Sequence, residues 1–140
     1  MSIVNLALSR SAGDPDASPG TYDAYPEVAL REPGLVEIDD VARWAEALTG
    51  VRRTTAAGLA QWRYHGRLVA RQLDDTHLVI RADFDARDLM VRQFPETFSV
   101  PSRFTKHMMI VADLARADAG AVEDALEGAW RLQRSADLPP

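Results

Sequence analysis

Residues 79–88, VIRADFDARD, set Asp83, Asp85 and Asp88 directly after an apolar run. Three carboxylates at a strand end can hold a divalent cation, or the first can serve as a nucleophile. A phosphotransferase of the Asp-x-Asp type also needs downstream acidic motifs and a lysine. Lys106 is the only lysine of the chain, and nothing around it completes such a set. The calcium-loop pattern fails as well, lacking the central glycine and the closing glutamate at its required distance. Helix capping explains more. Asp83 or Asp85 can accept bonds from the free amides of a first helical turn. Asp88 then sits in that turn, where the helix dipole favours a carboxylate by about 0.3–1 kcal/mol. The stretch predicts a helix start.

The other reactive residue types are sparse. His65, His77 and His107 show none of the short spacings of a helical or hairpin metal pair. His65 reads as a turn residue and His77 as an exposed strand position beside Asp74 and Asp75. The chain has no cysteine, which removes a disulfide framework, a thiolate metal site and a cysteine nucleophile. Its glycines are scattered singly, with no phosphate loop, nucleophile elbow or dinucleotide fingerprint. The expectation is a non-enzyme with no catalytic residue, no metal ligand and no cofactor.

Arginine is the sharper clue. Residues 51–110 hold ten basic residues against six acids, whereas residues 1–50 hold three against nine and residues 111–140 three against six. Within this basic island Arg52, Arg53, Arg63, Arg67, Arg71 and Arg81 interleave with Trp62, Tyr64 and His65. Nucleic-acid binders use that mixture, arginine for phosphates and rings for stacking. Against it stand the whole-chain pI of about 5.1 and a strand register that buries Trp62 and Tyr64. Dispersed arginines on a solvated face with surface ion pairs would look the same.

The elements that position these residues follow from periodicity. Val41, Trp44, Ala45 and Leu48 recur at helical spacing, with Asp39 or Asp40 near the start and Gly50 past the end. From Leu59 the period changes to two. LAQWRY, RLVARQL and THLVIRA are separated by His65-Gly66 and Asp74-Asp75, which predicts a three-strand meander with two tight turns. Two-residue turns would put Trp62, Tyr64, Val69, Leu73, Leu78 and Ile80 on the core face. Gln61, Arg63, Gln72, His77 and Arg81 would then lie on the other, around Leu68, Ala70 and Val79. Arg67 and Arg71 would rim the core face. Leu89, Met90 and Phe94 predict a short helix ending before Pro95. KHMMIVADL predicts a further strand, and Asp118 caps a last helix with Val122, Ala125, Leu126, Ala129 and Leu132 inward. Residues 1–36 read as an irregular N-terminal extension rich in proline and glycine, residues 37–136 as one domain, and 137–140 as a tail. The fold class expected is α+β: an antiparallel sheet, a three-strand meander plus at least one further strand, with helices on its apolar face.

The length of 140 residues fits that single domain. No apolar stretch approaches the roughly 18 residues of a membrane span, and MSIVNLALSR lacks the basic start of a secretory signal. A cytoplasmic location is expected.

The stretches ALTGV, GRLVARQLDDTHLVIRADFDARDLMVRQFPETFSV and ALEGAWRL resemble the MmcQ/YjbR family over residues 38–134. DFDARD followed by PETF, and AWRL, are the more specific parts. The stretch KHMMIV departs from the family in lacking a tryptophan often found on that strand, and residues 1–36 extend beyond its usual start. The resemblance implies a frataxin-like (CyaY-like) sandwich and a DNA-binding role, a designation resting on fold analogy with double-wing modules. It brings no catalytic residues. The expected function is therefore a small non-catalytic module that contacts DNA through Arg52, Arg53, Arg63, Arg67 and Arg81. The rival is a module for a protein partner or small molecule, with self-association through the N-terminal segment as one form. An enzyme using Asp83 and Asp85 with a metal comes third.

Overall fold

The computed structural model describes residues 35–137. The extension expected over residues 1–36 thus lies outside the described residues apart from Leu35 and Val36, and of the tail only Asp137 lies within them. In chain order come α1 (Ile38–Glu46), β1 (Val51–Ala56), β2 (Leu59–Tyr64), β3 (Arg67–Gln72), β4 (His77–Arg81), α2 (Phe84–Gln93), β5 (Phe98–Ser99), β6 (Met109–Asp113) and α3 (Ala119–Ser135). Short 3-10 turns occupy Ser102–Phe104 and Leu114–Arg116. The strands form one antiparallel sheet in the order β1-β2-β3-β4-β6-β5. This is the α+β class expected, the meander β2–β4 being joined by three further strands.

Helices α2 and α3 start where the carboxylates predict, whereas α1 starts ahead of Asp39 and Asp40, the caps expected there. Asp83 Oδ1 accepts from the Ala86 N–H at 2.8 Å, and Asp118 Oδ1 from the Ala121 N–H at 2.9 Å. At α1 the cap position is Glu37, and Asp40 reaches back to the Glu37 N–H at 3.0 Å. Val41 and Ala45 of α1 and Val122, Leu126 and Ala129 of α3 pack on Trp62, Ala70, Leu78, Ile80 and Ile110 of the sheet. Val36 joins this core, its N–H donating to the Leu114 carbonyl at 2.9 Å.

The first two hairpins share one turn chemistry. Ala57-Gly58 and His65-Gly66 all have positive φ, at 54°, 78°, 49° and 82°. Turns with both central residues in that region match the right-handed twist of paired strands, and glycine reaches it without steric cost. The strand that Ala57-Gly58 launches from, β1, escapes sequence reading because everything after Val51 is exposed. An edge strand with no buried face has no alternation to detect.

The register differs from expectation in two places that cancel. Trp62 faces Ala70 while Arg63 faces Leu68, so Val69 is an extra residue, a bulge in β3. Beyond it the strand's faces exchange. Ala70 enters the main core, while Leu73 packs in a second, smaller cluster on the outer face with Val79, Val111 and Phe104. The β3–β4 connection is also one residue longer than a two-residue turn, since Gln72 faces Leu78 and the Leu73 N–H bonds the His77 carbonyl at 2.9 Å. That second offset returns Leu78 and Ile80 to the core, as predicted. Leu89, expected on the inner face of its helix, is 44% exposed, whereas Arg87 on the same helix is buried.

Candidate functional site

The aspartates that could have done chemistry are committed elsewhere. Asp83 caps α2, Asp85 lies in its first turn, and Asp88 stands 3.7 Å from the Arg87 Nε. The histidines do not converge. His65 pairs with Asp137 at 3.1 Å, His77 pairs with Asp74 at 2.9 Å, and His107 is exposed. Among the described residues no group of three or more histidine or acidic side chains is placed to hold a metal ion. The Asp74–His77 contact is the orienting kind a general base uses, but Thr76 Oγ1 meets the same ring nitrogen at 3.0 Å and the trio sits on an exposed turn. There the Thr76 N–H, and then His77, hold the Asp74 carboxyl below the usual carboxylate range.

The five arginines expected to contact DNA are divided between the two faces of the sheet. On β1 and β2, Arg52 faces Arg63 across the ladder, and Arg53 faces Trp62. Trp62 is fully buried against the helices, so Arg53 belongs to the helix side and Arg52 and Arg63 to the outer side. Arg53 Nε meets Glu46 Oε2 at 3.1 Å, and the same oxygen accepts from the Trp62 indole at 2.9 Å. Arg67 also lies on the helix side, opposite Tyr64. Its Nε donates to the Gln133 carbonyl at 3.2 Å, its Nη2 bonds Asp137, and its guanidinium lies 5.7 Å from the Tyr64 ring centre. It therefore closes the C-terminus of α3, where free carbonyls and the dipole favour a cation. Hydrogen bonding from Arg67, with smaller contributions from Tyr64 and His65, holds the Asp137 carboxyl below its ordinary value.

The outer side keeps a different set. Arg71 faces Val79 on one flank and Gln61 on the other, because the bulge turned it outward. Arg63 is steadied by its neighbours rather than by acids: Nε and Nη2 donate to Gln61 Oε1 at 3.2 and 3.1 Å, and Nη1 to the Gly66 carbonyl at 3.0 Å. Arg52, Arg63 and Arg71 thus occupy three adjacent strands, roughly 10 Å across. None has a carboxylate within 4.0 Å among the described residues. Arg52 is exposed, and Arg63 and Arg71 are half-buried. Arg81 stands apart. It is half-buried, makes no ion pair among the described residues, and its Nε is enclosed with no hydrogen-bond partner.

Two arginines carry more than their sequence context shows. Arg71 joins the outer face only through the bulge, which no local pattern announces. Arg87 is 8% exposed. Its Nη1 donates to the carbonyls of Phe104, Thr105 and His107 at 3.3, 3.1 and 2.8 Å, and its guanidinium lies 4.8 Å from the Phe84 ring centre. It pins the segment that seats Phe104 over Val79 and Val111. That segment bounds the open part of the outer face, with Arg71 and Arg103 on the Phe104 ring at 6.0 and 4.8 Å.

No helix among the described residues is long and apolar enough to cross a membrane. No family model, curated protein or solved structure matches the chain.

Proposed function

We propose that this chain is a small, non-catalytic binding module that docks on DNA phosphates through the outer face of its sheet. One observation carries the reading: Arg52, Arg63 and Arg71 share that face with no carboxylate beside them among the described residues. Arg52 and Arg63 are direct cross-strand partners, and like charges so placed repel. An anion lying across them relieves that repulsion. The resemblance of residues 38–134 to MmcQ/YjbR proteins, with their frataxin-like sandwich and DNA-binding designation, supports the same reading. A cytoplasmic location is part of it.

Contacts of this kind read the backbone and not the bases, because Gln61, the amide set beside Arg63 and Arg71, is half-buried with its Oε1 held by Arg63. Phe104, the nearest ring, is covered. Binding is then strongly salt-dependent, since each neutralised phosphate releases a counterion. Three phosphate contacts give a logarithmic slope near −2.7, about a 40-fold loss of affinity between 50 and 200 mM salt. Fluorescence anisotropy with a short labelled duplex tests this. Absence of binding at low salt, or affinity indifferent to salt, removes the proposal.

One feature favours the rival, a module for a protein partner. β1 pairs with β2 along one side and with no described strand along the other. An open edge of six residues can take a strand from another chain. Deleting residues 1–34, which leaves the core residue Val36 in place, and measuring the mass in solution tests self-association through the N-terminal segment, and an unchanged mass argues against it.

A further inference from the structure

One ring at the border of the outer sheet face carries two cations. Phe104 is 7% exposed and lies over Val79 and Val111. The guanidinium carbon of Arg71 stands 6.0 Å from the centre of its ring, and that of Arg103 stands 4.8 Å from it. Laid end to end, those distances put the two carbons within about 11 Å of each other. Arg71 is half-buried and comes from β3, whereas Arg103 is exposed and comes from the 3-10 turn Ser102–Phe104. Neither donates a hydrogen bond to a described residue, and neither has a carboxylate within 4.0 Å among them.

Most other arginines of the described residues are already committed. Arg43, Arg53 and Arg131 pair with acids, Arg67 with Asp137, and Arg87 with three carbonyls. Asp88 of α2 stands with Arg87, 3.7 Å from its Nε, and has no pair with Arg71 or Arg103. A guanidinium over a ring is drawn by the negative face of the ring and keeps its N–H groups for an oxyanion. Arg71 and Arg103 are in that condition together, and unused guanidinium forks match phosphate oxygens in geometry and charge. The place of Arg103 is set by its segment. The Phe104 N–H donates to the Pro101 carbonyl at 2.8 Å, and Arg87 holds the carbonyls of Phe104, Thr105 and His107 from α2.

We propose that Arg103 is a further phosphate contact, acting beside Arg71 on the Phe104 ring, and that Arg87 is its positioning residue. This contact presupposes the DNA reading and adds a fourth arginine, from outside the sheet, to the three on its strands. Fluorescence anisotropy of the full chain with a short labelled duplex, between 50 and 200 mM salt, tests it. Four contacts give a logarithmic slope near −3.6, about a 150-fold loss of affinity over that range. Arg103→Gln should return the slope to about −2.7, while Arg103→Lys should keep the parent slope, because the slope counts neutralised phosphates. Arg87→Met, measured below its unfolding midpoint, should show the shallower slope too, and adding Arg103→Gln to it should change nothing more. An Arg87 that only stabilised the fold would leave Arg103→Gln its full effect, which overturns the positioning role. A parent slope near −2.7 that Arg103→Gln does not move overturns the Arg103 contact and leaves the three-arginine face standing. No binding at low salt removes both, and equal loss from Arg103→Lys and Arg103→Gln overturns the contact as one of charge.

Discussion

Replacing Arg87 by methionine keeps an unbranched stem out to about the Nε position and removes the guanidinium. Three carbonyls then lose their donor, of which those of Thr105 and His107, at 3.1 and 2.8 Å, are well made. Hydrogen bonds to charged groups contribute about 1.5–3 kcal/mol each, so the two account for at least about 3 kcal/mol. The Phe84 ring adds about 0.5–1 kcal/mol. Two effects work in the other direction. Thr105 and His107 are exposed, so water can reach their carbonyls, and the enclosed Nε, without a hydrogen-bond partner, is no longer held out of water. Relief of such a group is worth about 1–3 kcal/mol, which leaves a net loss of about 0.5–3 kcal/mol, centred near 2 kcal/mol. For a domain of this size that lowers Tm by roughly 10–15 °C. Urea and thermal unfolding measure the loss. Hydrogen exchange should show amides of residues 104–109 opening first, because Arg87 is the side chain that ties this segment to α2. A Tm shift under about 3 °C, or uniform loss of protection, would refute the clamp.

The arginines divide into two groups that one titration separates. Arg52→Gln, Arg63→Gln and Arg71→Gln should each make the salt slope of DNA binding shallower by about one, while Arg53→Gln and Arg67→Gln leave it unchanged. Equal effects from all five would show that the sheet's two faces do not differ in function. Asp137 makes stability depend on pH. Its folded pKa is depressed below 3.8, so its contribution is present above that value and is lost as pH falls through the folded one. Asp137→Asn should therefore be less stable than the parent at pH 7, and the gap should close on acidification below pH 4; a gap that stays constant in acid speaks against the Arg67 contact. Ala57 holds a φ of 54° in a turn that favours asparagine before glycine. Ala57→Asn should raise stability by about 0.5–1 kcal/mol, and a fall in the denaturant midpoint would contradict the turn geometry.

What was legible in the sequence was whatever a local rule governs. Carboxylates before an apolar period marked the starts of α2 and α3, and His65-Gly66 marked a turn whose dihedrals only a few residue types tolerate. β1 was hidden because an exposed edge strand has no buried face, so its residues alternate nothing. The bulge at Val69 was hidden for a different reason. Valine and alanine are both small and apolar, and either can face the core, so no residue type shows which is the extra one. Its effect was masked further by the longer β3–β4 connection, which restored the face of β4. A reader of residue types alone gets Leu78 and Ile80 right while misplacing Ala70 and Leu73 between them and the turn.

The same slip decides which arginines belong together. Alternation from Trp62 through an unbroken β3 keeps Arg67 and Arg71 on one side, four residues apart. The bulge between them separates them: Arg67 goes to the C-terminus of α3 and the Asp137 carboxylate, Arg71 to the open face beside Arg63 and Gln61. A mixed basic stretch thereby becomes two different devices. On the helix side each guanidinium has an acid or a carbonyl waiting for it, so Arg53 and Arg67 hold elements together. On the outer side Arg52 and Arg63 face each other across a ladder with, among the described residues, Gln61 and a carbonyl as company. A sheet that needed these positions only for stability would gain from an acid opposite either arginine, since opposite charges there contribute about 0.2–1 kcal/mol and like charges oppose it. Arg52→Glu should therefore stabilise the free protein by up to about 1 kcal/mol through a cross-strand pair with Arg63, while it removes DNA affinity. Urea unfolding and anisotropy on the same variant measure the two effects, and a variant that gains stability and still binds DNA normally would show that the repulsion serves no ligand.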